Sequence, residues 1–216
     1  NLLPPKGGCT LDIGCGVCDY ALGLAREGHK ATGIDLSDGM IRGAKQLAES
    51  EGLDLSLYIA PWSDETRREL KWDKTFDFAY SFFCPVMYDV DNIRAMHDTS
   101  RNTCLWVAFS ERHDEIVDML SDHFFGRDAF PWHDKMEESL AAIHEMGHNV
   151  KVTYKTVPET EVMSLDKAVN YFAMRLHNNI WGDIEDMKVE IRNLIEPLAI
   201  NGEIHNKTVD KVAWVS

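Results

Sequence analysis

The 216-residue sequence has no apolar run near the eighteen residues that a membrane-crossing helix requires, which excludes a span of that kind. Basic residues are scarce: 22 Lys and Arg stand against 36 Asp and Glu, a net charge of −14. Affinity for DNA or RNA comes largely from Lys and Arg neutralising phosphates, so no nucleic-acid partner is expected. Anionic membrane headgroups are disfavoured for the same reason. Cysteines number five, an odd count scattered through apolar stretches. Reduced thiols in a cytoplasmic protein are expected, not a disulfide framework. The opening Asn1-Leu2-Leu3-Pro4-Pro5-Lys6 lacks the basic start and apolar core of a secretory leader, and without an initiator Met it reads as trimmed. No Pro/Gly/Ser linker, internal repeat or low-complexity tract divides the chain. What is present is globular in kind: 44% apolar and 27% charged residues argue against disorder, collagen-like repeats and a coiled coil.

Hydrophobic periodicity sets the order of elements. Residues 9–14, 30–35, 54–60, 76–83 and 103–109 read as strands. Helices are expected over 20–26, 38–51, 89–98 and 114–124, the second of them capped by Ser37 or Asp38. Strands alternating with helices imply a mostly parallel sheet covered on both faces, and right-handed crossovers make it doubly wound. The last third differs: a helix over 139–146, a strand over 149–157, two amphipathic helices over 165–176 and 183–198, and a final strand over 209–215. The expectation is one domain over 1–216, a seven-stranded α/β sheet, with 158–207 inserted before the last strand as a helical cap. Ligands of such sheets sit beyond the carboxyl ends of the strands, so the residues just after each strand are the candidates.

The strongest motif is Leu11-Asp12-Ile13-Gly14-Cys15-Gly16, between a strand and a helix. Glycines there let a ligand approach the backbone, and the helix beyond offers free N–H groups. Asp35 ends the second strand, where a carboxylate can accept two hydrogen bonds from a ribose diol. In these residues the chain resembles the class I S-adenosylmethionine-dependent methyltransferases, whose first motif is an acid followed by x-Gly-x-Gly-x-Gly. Asp12, Gly14 and Gly16 match. Cys18 replaces the third glycine, and a positive φ there would be costly. The resemblance, which covers residues 9–110 and says little about 124–207, implies a Rossmann-like fold. It implies that Gly14, Cys15 and Gly16 lie against the methionine part of the cofactor and that Asp35 holds its ribose hydroxyls. It places Leu36 and Met40 beside the adenine, and Pro61, Trp62, Ser63 and Asp64 at the adenine edge, with Phe82 also near the cofactor. The product would be S-adenosylhomocysteine. A nicotinamide-dependent oxidoreductase is the rival. Its Gly-x-Gly-x-x-Gly would need glycine at Asp19, whose charge would face a pyrophosphate.

Cys15-Gly16-Val17-Cys18 is formally a C-x-x-C, but no second ligand pair stands at zinc spacing, so it reads as small residues in a tight turn. Phe82-Phe83-Cys84-Pro85-Val86-Met87-Tyr88 follows the fourth strand. It lacks the carboxamide and second proline of nucleobase amino-methyltransferases, in agreement with the acidic surface. Cys84, Met87 and Tyr88 either line the acceptor site or pack in the core. Asp89, Asp91 and Asn92 suit a hard cation, but equally a helix start, and no metal is expected. His113 is either a general base or a solvated helix start. His144 and His148 have no third ligand. Trp132, His133, Tyr171, Phe172 and Trp181 either line the pocket or pack in the core. Methyl transfer is an in-line displacement in which positioning supplies much of the acceleration. A small-molecule acceptor is the expectation. The alternatives are a protein side chain, or cofactor binding without transfer. The acceptor, the oligomeric state and any use of Cys84, Tyr88 or His113 in catalysis stay open at this level.

Overall fold

Strand β1 (Cys9–Ile13) is buried along almost its whole length, which is why its run of side chains is nearly continuous and not alternating. In the computed structural model, which describes residues 2–126, 133–148, 150–177 and 183–216, it is an interior strand of a seven-stranded sheet. The chain continues through α1 (Asp19–Arg26), β2 (Lys30–Asp35), α2 (Asp38–Glu51), β3 (Leu55–Ile59), α3 (Asp64–Glu69) and β4 (Phe76–Phe82). It then forms a 3-10 turn over Pro85–Tyr88, α4 (Val90–Thr99), β5 (Ser100–Asp114), α5 (Glu115–Phe125) and α6 (His133–Glu145). The last elements are β6 (Val152–Ser164), α7 (Leu165–His177), α8 (Ile184–Ile195) and β7 (Glu203–Val215).

The sheet order is β3-β2-β1-β4-β5-β7-β6. Strands β1 to β5 pair in parallel, with Asp12 beside both Gly33 and Tyr80. Lys151 and Ser216 exchange both backbone hydrogen bonds (2.8 and 3.1 Å), the pattern of an antiparallel pair where β6 meets β7. The order therefore reverses between β1 and β4, the place where sheets of this kind bind ligands past the carboxyl ends of the strands. This is the doubly wound, Rossmann-like α/β fold expected.

Two compact units divide the chain. The first, over Asn1–Phe109, Asp134–Tyr154 and Val212–Ser216, packs Leu11, Ile13, Ile34, Phe76 and Trp106 into its main core. The second, over Ser110–His133 and Lys155–Lys211, packs α5, α7 and α8 around Phe172, Leu176, Ile191 and Ile195. In it Arg175 reaches the buried Asp114 carboxylate at 2.9 Å. The inserted segment 158–207 falls within this second unit, which takes in α5 as well.

Several boundaries differ from the sequence expectation for identifiable reasons. Strands β5, β6 and β7 run to fifteen, thirteen and thirteen residues. Most of β6 is exposed on both faces, so no apolar alternation marks its extent. Helix α3 has no apolar period. It forms because Ser63 caps it, accepting from Thr66 N–H at 3.1 Å, and because acids start it and arginines end it. Its Arg67 guanidinium is buried and bound by Asp64 and Asp73.

Candidate functional site

The glycine turn is tied to the strand beside it. Gly14 and Cys15 both donate to Ile34 O, at 2.9 and 3.1 Å, so the turn leaves β1 hooked over the end of β2. Gly14 has φ +69°, and a Cβ on it would lie 2.8 Å from Cys84 Cβ and closer still to the sulfur. Only glycine satisfies both the backbone sign and the space. Cys18 adopts φ +60°, the left-handed conformation expected to cost a non-glycine residue about 1 kcal/mol.

Asp35 is the knot of the site. Its Oδ2 accepts from Gly16 N–H and its Oδ1 from Ser37 N–H, both at 2.8 Å, and its carbonyl accepts from Ala60 N–H at 3.0 Å. One residue thus draws together the turn after β1, the start of α2 and the loop after β3. Each carboxylate oxygen retains acceptor capacity for a ligand hydroxyl. Leu36 and Met40 follow it with exposed side chains, 70% and 46%. Pro61 is exposed, and Ser63 spends its hydroxyl on the α3 cap. Trp62 is engaged otherwise than as an exposed ring: it is buried in the core and donates its indole N–H to Asn92 O at 3.1 Å. A cavity of about 420 Å³ lies against Tyr58, Ile59, Pro61, Ser63 and Thr66.

Beneath the turn, Asp12 is 2% exposed, and burial pushes its carboxyl up to about 7. The neighbouring Tyr80 hydroxyl and the backbone at Ala21 act against that rise, and the Asp35 charge adds to it. Asp12 Oδ2 and Tyr80 Oη share this buried space, and neither makes a hydrogen bond of good geometry. Burial first, and then the Asp12 charge, also raise the Tyr80 hydroxyl.

The segment after β4 borders the turn. Phe82 stacks on the exposed Tyr20 ring (4.0 Å between centroids, 14° between planes), and Phe83 takes φ +53°. Burial raises the Cys84 thiol above its ordinary value. Tyr88 donates its hydroxyl to Phe109 O at 2.7 Å and packs edge-on to Trp106, and burial raises its pKa too. Its proton is therefore committed to a carbonyl. His113 belongs to the second unit, near the end of β5, with Nδ1 3.8 Å from Asp118 Oδ2. Asp89 caps α4, accepting from Asp91 N–H at 2.8 Å. Among the described residues, no three His, Cys, Asp or Glu are grouped to hold a metal, and no helix is long and apolar enough to cross a membrane. Tyr171 and Phe172 pack with the core of the second unit. Trp132, Trp181 and the His133 side chain lie outside the described residues.

The structure thus gathers Asp12, Gly14, Cys15, Gly16, Asp35 and Cys84 at the β1/β4 switch in strand order, with Pro61 and Ser63 beside Asp35 through Ala60. Sequence reasoning missed Tyr80 and Tyr20. Tyr80 was hidden in an apolar strand, although its register opposite Asp12 follows once the β1–β4 pairing is known.

The profile of a family described as a methyltransferase domain matches residues 10–103. A protein of Geobacillus sp. (strain WCH70) named as a methyltransferase is 34% identical over 74 residues, which are 34% of this chain and 28% of that protein. The matched stretch is therefore little more than a quarter of that relative's length. A methyltransferase-like structure from Bacillus halodurans C-125 aligns over 99% of this chain and 94% of its own, with TM-score 0.60 and 11% identity. A methyltransferase from Thiobacillus denitrificans in complex with S-adenosyl-L-homocysteine aligns over 98% and 85%, with TM-score 0.52 and 18% identity. At these identities the structures establish likeness of fold.

Proposed function

With residues 10–103 matching the profile of a methyltransferase domain, we propose that the chain is a class I, S-adenosylmethionine-dependent methyltransferase that transfers a methyl group from that cofactor to a small molecule. The observation that carries the reading is the link from Gly16 N–H to the Asp35 carboxylate, which sets a glycine turn and a diol acceptor side by side at the switch in strand order. The residues fit the cofactor. Gly16 leaves the backbone open, with no atom within 4 Å of where a Cβ would stand, and Asp12 keeps an unpaired buried oxygen under the turn. Gly14, Cys15 and Gly16 would hold the methionine part, Asp35 the ribose, and Leu36, Met40, Pro61 and Ser63 the adenine. When bound, the cofactor supplies an electrophilic methyl group on a positively charged sulfur.

The protein's own part is positioning. Phe82, with Tyr20 stacked on it, and Cys84 form an apolar border to the turn. Tyr88 ties that border to β5 through Phe109 and keeps its proton. A Cys84 thiol held above its ordinary range is a poor base. This arrangement favours acceptors that are nucleophilic in themselves, such as thiols and amines, over alcohols that need deprotonation. Five free cysteines fit the reducing cytoplasm. The test is transfer of labelled methyl to a panel of small thiols, amines and alcohols, beside protein and nucleic-acid acceptors. Label on small thiols or amines is expected. Label confined to macromolecules, or binding with no transfer to any acceptor, would overturn the reading.

A further inference from the structure

Two cysteines of the turn are closer than packing requires. Cys15 Sγ and Cys18 Sγ lie 2.6 Å apart, inside the contact distance of unbonded sulfurs and about 0.5 Å beyond the ~2.05 Å of a disulfide bond. Cys18 N–H donates to Cys15 O at 2.7 Å, closing a four-residue turn. Such a turn brings its end Cα atoms within about 7 Å, overlapping the range a disulfide spans. Both sulfurs gather near Gly16 O, at 3.7 and 3.8 Å. They fit because β2 carries Gly33 beneath them: a Cβ there would lie 2.9 Å from Cys15 Sγ and 2.8 Å from Cys18 Sγ. Exposure is unequal, with Cys15 half-buried and Cys18 fully buried.

We propose that Cys15 and Cys18 form a reversible dithiol–disulfide site, in which Cys15 meets small disulfides first and Cys18 resolves the adduct. In the first step the Cys15 thiolate attacks one sulfur of a low-molecular-weight disulfide, its S–S bond breaks, and one small thiolate leaves. In the second, the Cys18 thiolate attacks Cys15 Sγ and expels the other. Two protein thiols are oxidised, one small disulfide is reduced to two thiols, and the two protons lost by the protein end on them. The Cys18 neighbour and burial both raise the Cys15 thiol, so thiolate is scarce near neutrality. The reaction is accordingly slow at pH 7 and quickens about tenfold per pH unit toward pH 9.

The consequence for the cofactor rests on the proposed function. A disulfide needs little movement of the turn, so the Gly16–Asp35 link survives. A bulky adduct left on Cys15 would sit between Gly14 and Gly16 and block the turn. The pair therefore protects the cofactor site from stalled adducts.

The experiment incubates the full chain with oxidised glutathione at pH 8, maps thiols by peptide mass, and measures S-adenosylhomocysteine affinity. The wild type should lose two hydrogens across the peptides of Cys15 and Cys18, reverse with dithiothreitol, and keep its affinity within about threefold. Cys18→Ser should instead retain one glutathione on Cys15 and lose affinity at least tenfold. Glutathione persisting on wild-type Cys15, oxidation at Cys9, Cys84 or Cys104 alone, or no reaction at pH 9 would overturn the dithiol site. Because mapping needs no cofactor, it reads the pair even if the methyltransferase reading fails.

Discussion

Replacing Gly14 by alanine tests how the turn is held, and its cost can be worked from two separable causes. The first is backbone sign: at φ +69°, a residue with a Cβ pays about 1–2 kcal/mol. The second is space: the new methyl would lie 2.8 Å from Cys84 Cβ and nearer to the sulfur, and overpacking of that kind costs roughly 1–3 kcal/mol. Gly14→Ala should therefore destabilise the fold by about 2–5 kcal/mol, a fall in Tm of several degrees or more at this chain length. Cys84→Gly removes both offending atoms, so in that background Gly14→Ala should cost only the backbone part. The coupling read from a double-mutant cycle in urea should be about 1–3 kcal/mol. Equal costs in the two backgrounds would refute the steric argument. A cost under about 0.5 kcal/mol in the wild type would refute both causes.

Further outcomes follow from other residues. Asp12, with a native pKa of about 7 against 3.8 unfolded, binds its proton more tightly when folded, so its contribution is complete below about pH 4 and is lost as pH rises toward 7. Asp12→Asn should flatten that loss, worth about 3 kcal/mol between pH 5 and 8, in urea titrations at those two pH values; an unchanged slope would contradict the burial argument. Tyr88→Phe should cost about 1 kcal/mol of stability, one hydrogen bond, and leave kcat within threefold; a hundredfold fall in kcat would make Tyr88 a catalytic base. Arg67→Met should lower thermal stability by about 1–3 kcal/mol through the ion pairs with Asp64 and Asp73, and a neutral result would show that these acids are satisfied by water.

What could be read in the sequence is the part governed by short-range rules. The buried run of β1, the glycines after it and the acid ending β2 are local signals, and they land together because parallel pairing aligns the strand ends. Cys18 was legible as a departure from the glycine pattern, and its left-handed backbone matches the cost foreseen. Its contact with Cys15 was not legible, because it depends on Gly33 of another strand leaving room. Trp62 and Tyr88 carry the same lesson: as residue types they suit a ligand, but distant carbonyls of Asn92 and Phe109 accept their hydrogen bonds. Helix α3 escaped notice because caps and charges build it, not apolar period. The long exposed β6 escaped because solvent on both faces leaves no pattern.

The central claim is that the turn and Asp35 together bind the cofactor. Calorimetric titration with S-adenosylhomocysteine tests it most directly, with NAD as the comparison ligand and Asp35→Ala as the control. The account predicts micromolar binding, weakened by about 1.5–3 kcal/mol, or tenfold to hundredfold, when the carboxylate is removed. Tighter binding of NAD, or S-adenosylhomocysteine affinity unchanged in Asp35→Ala, would contradict it.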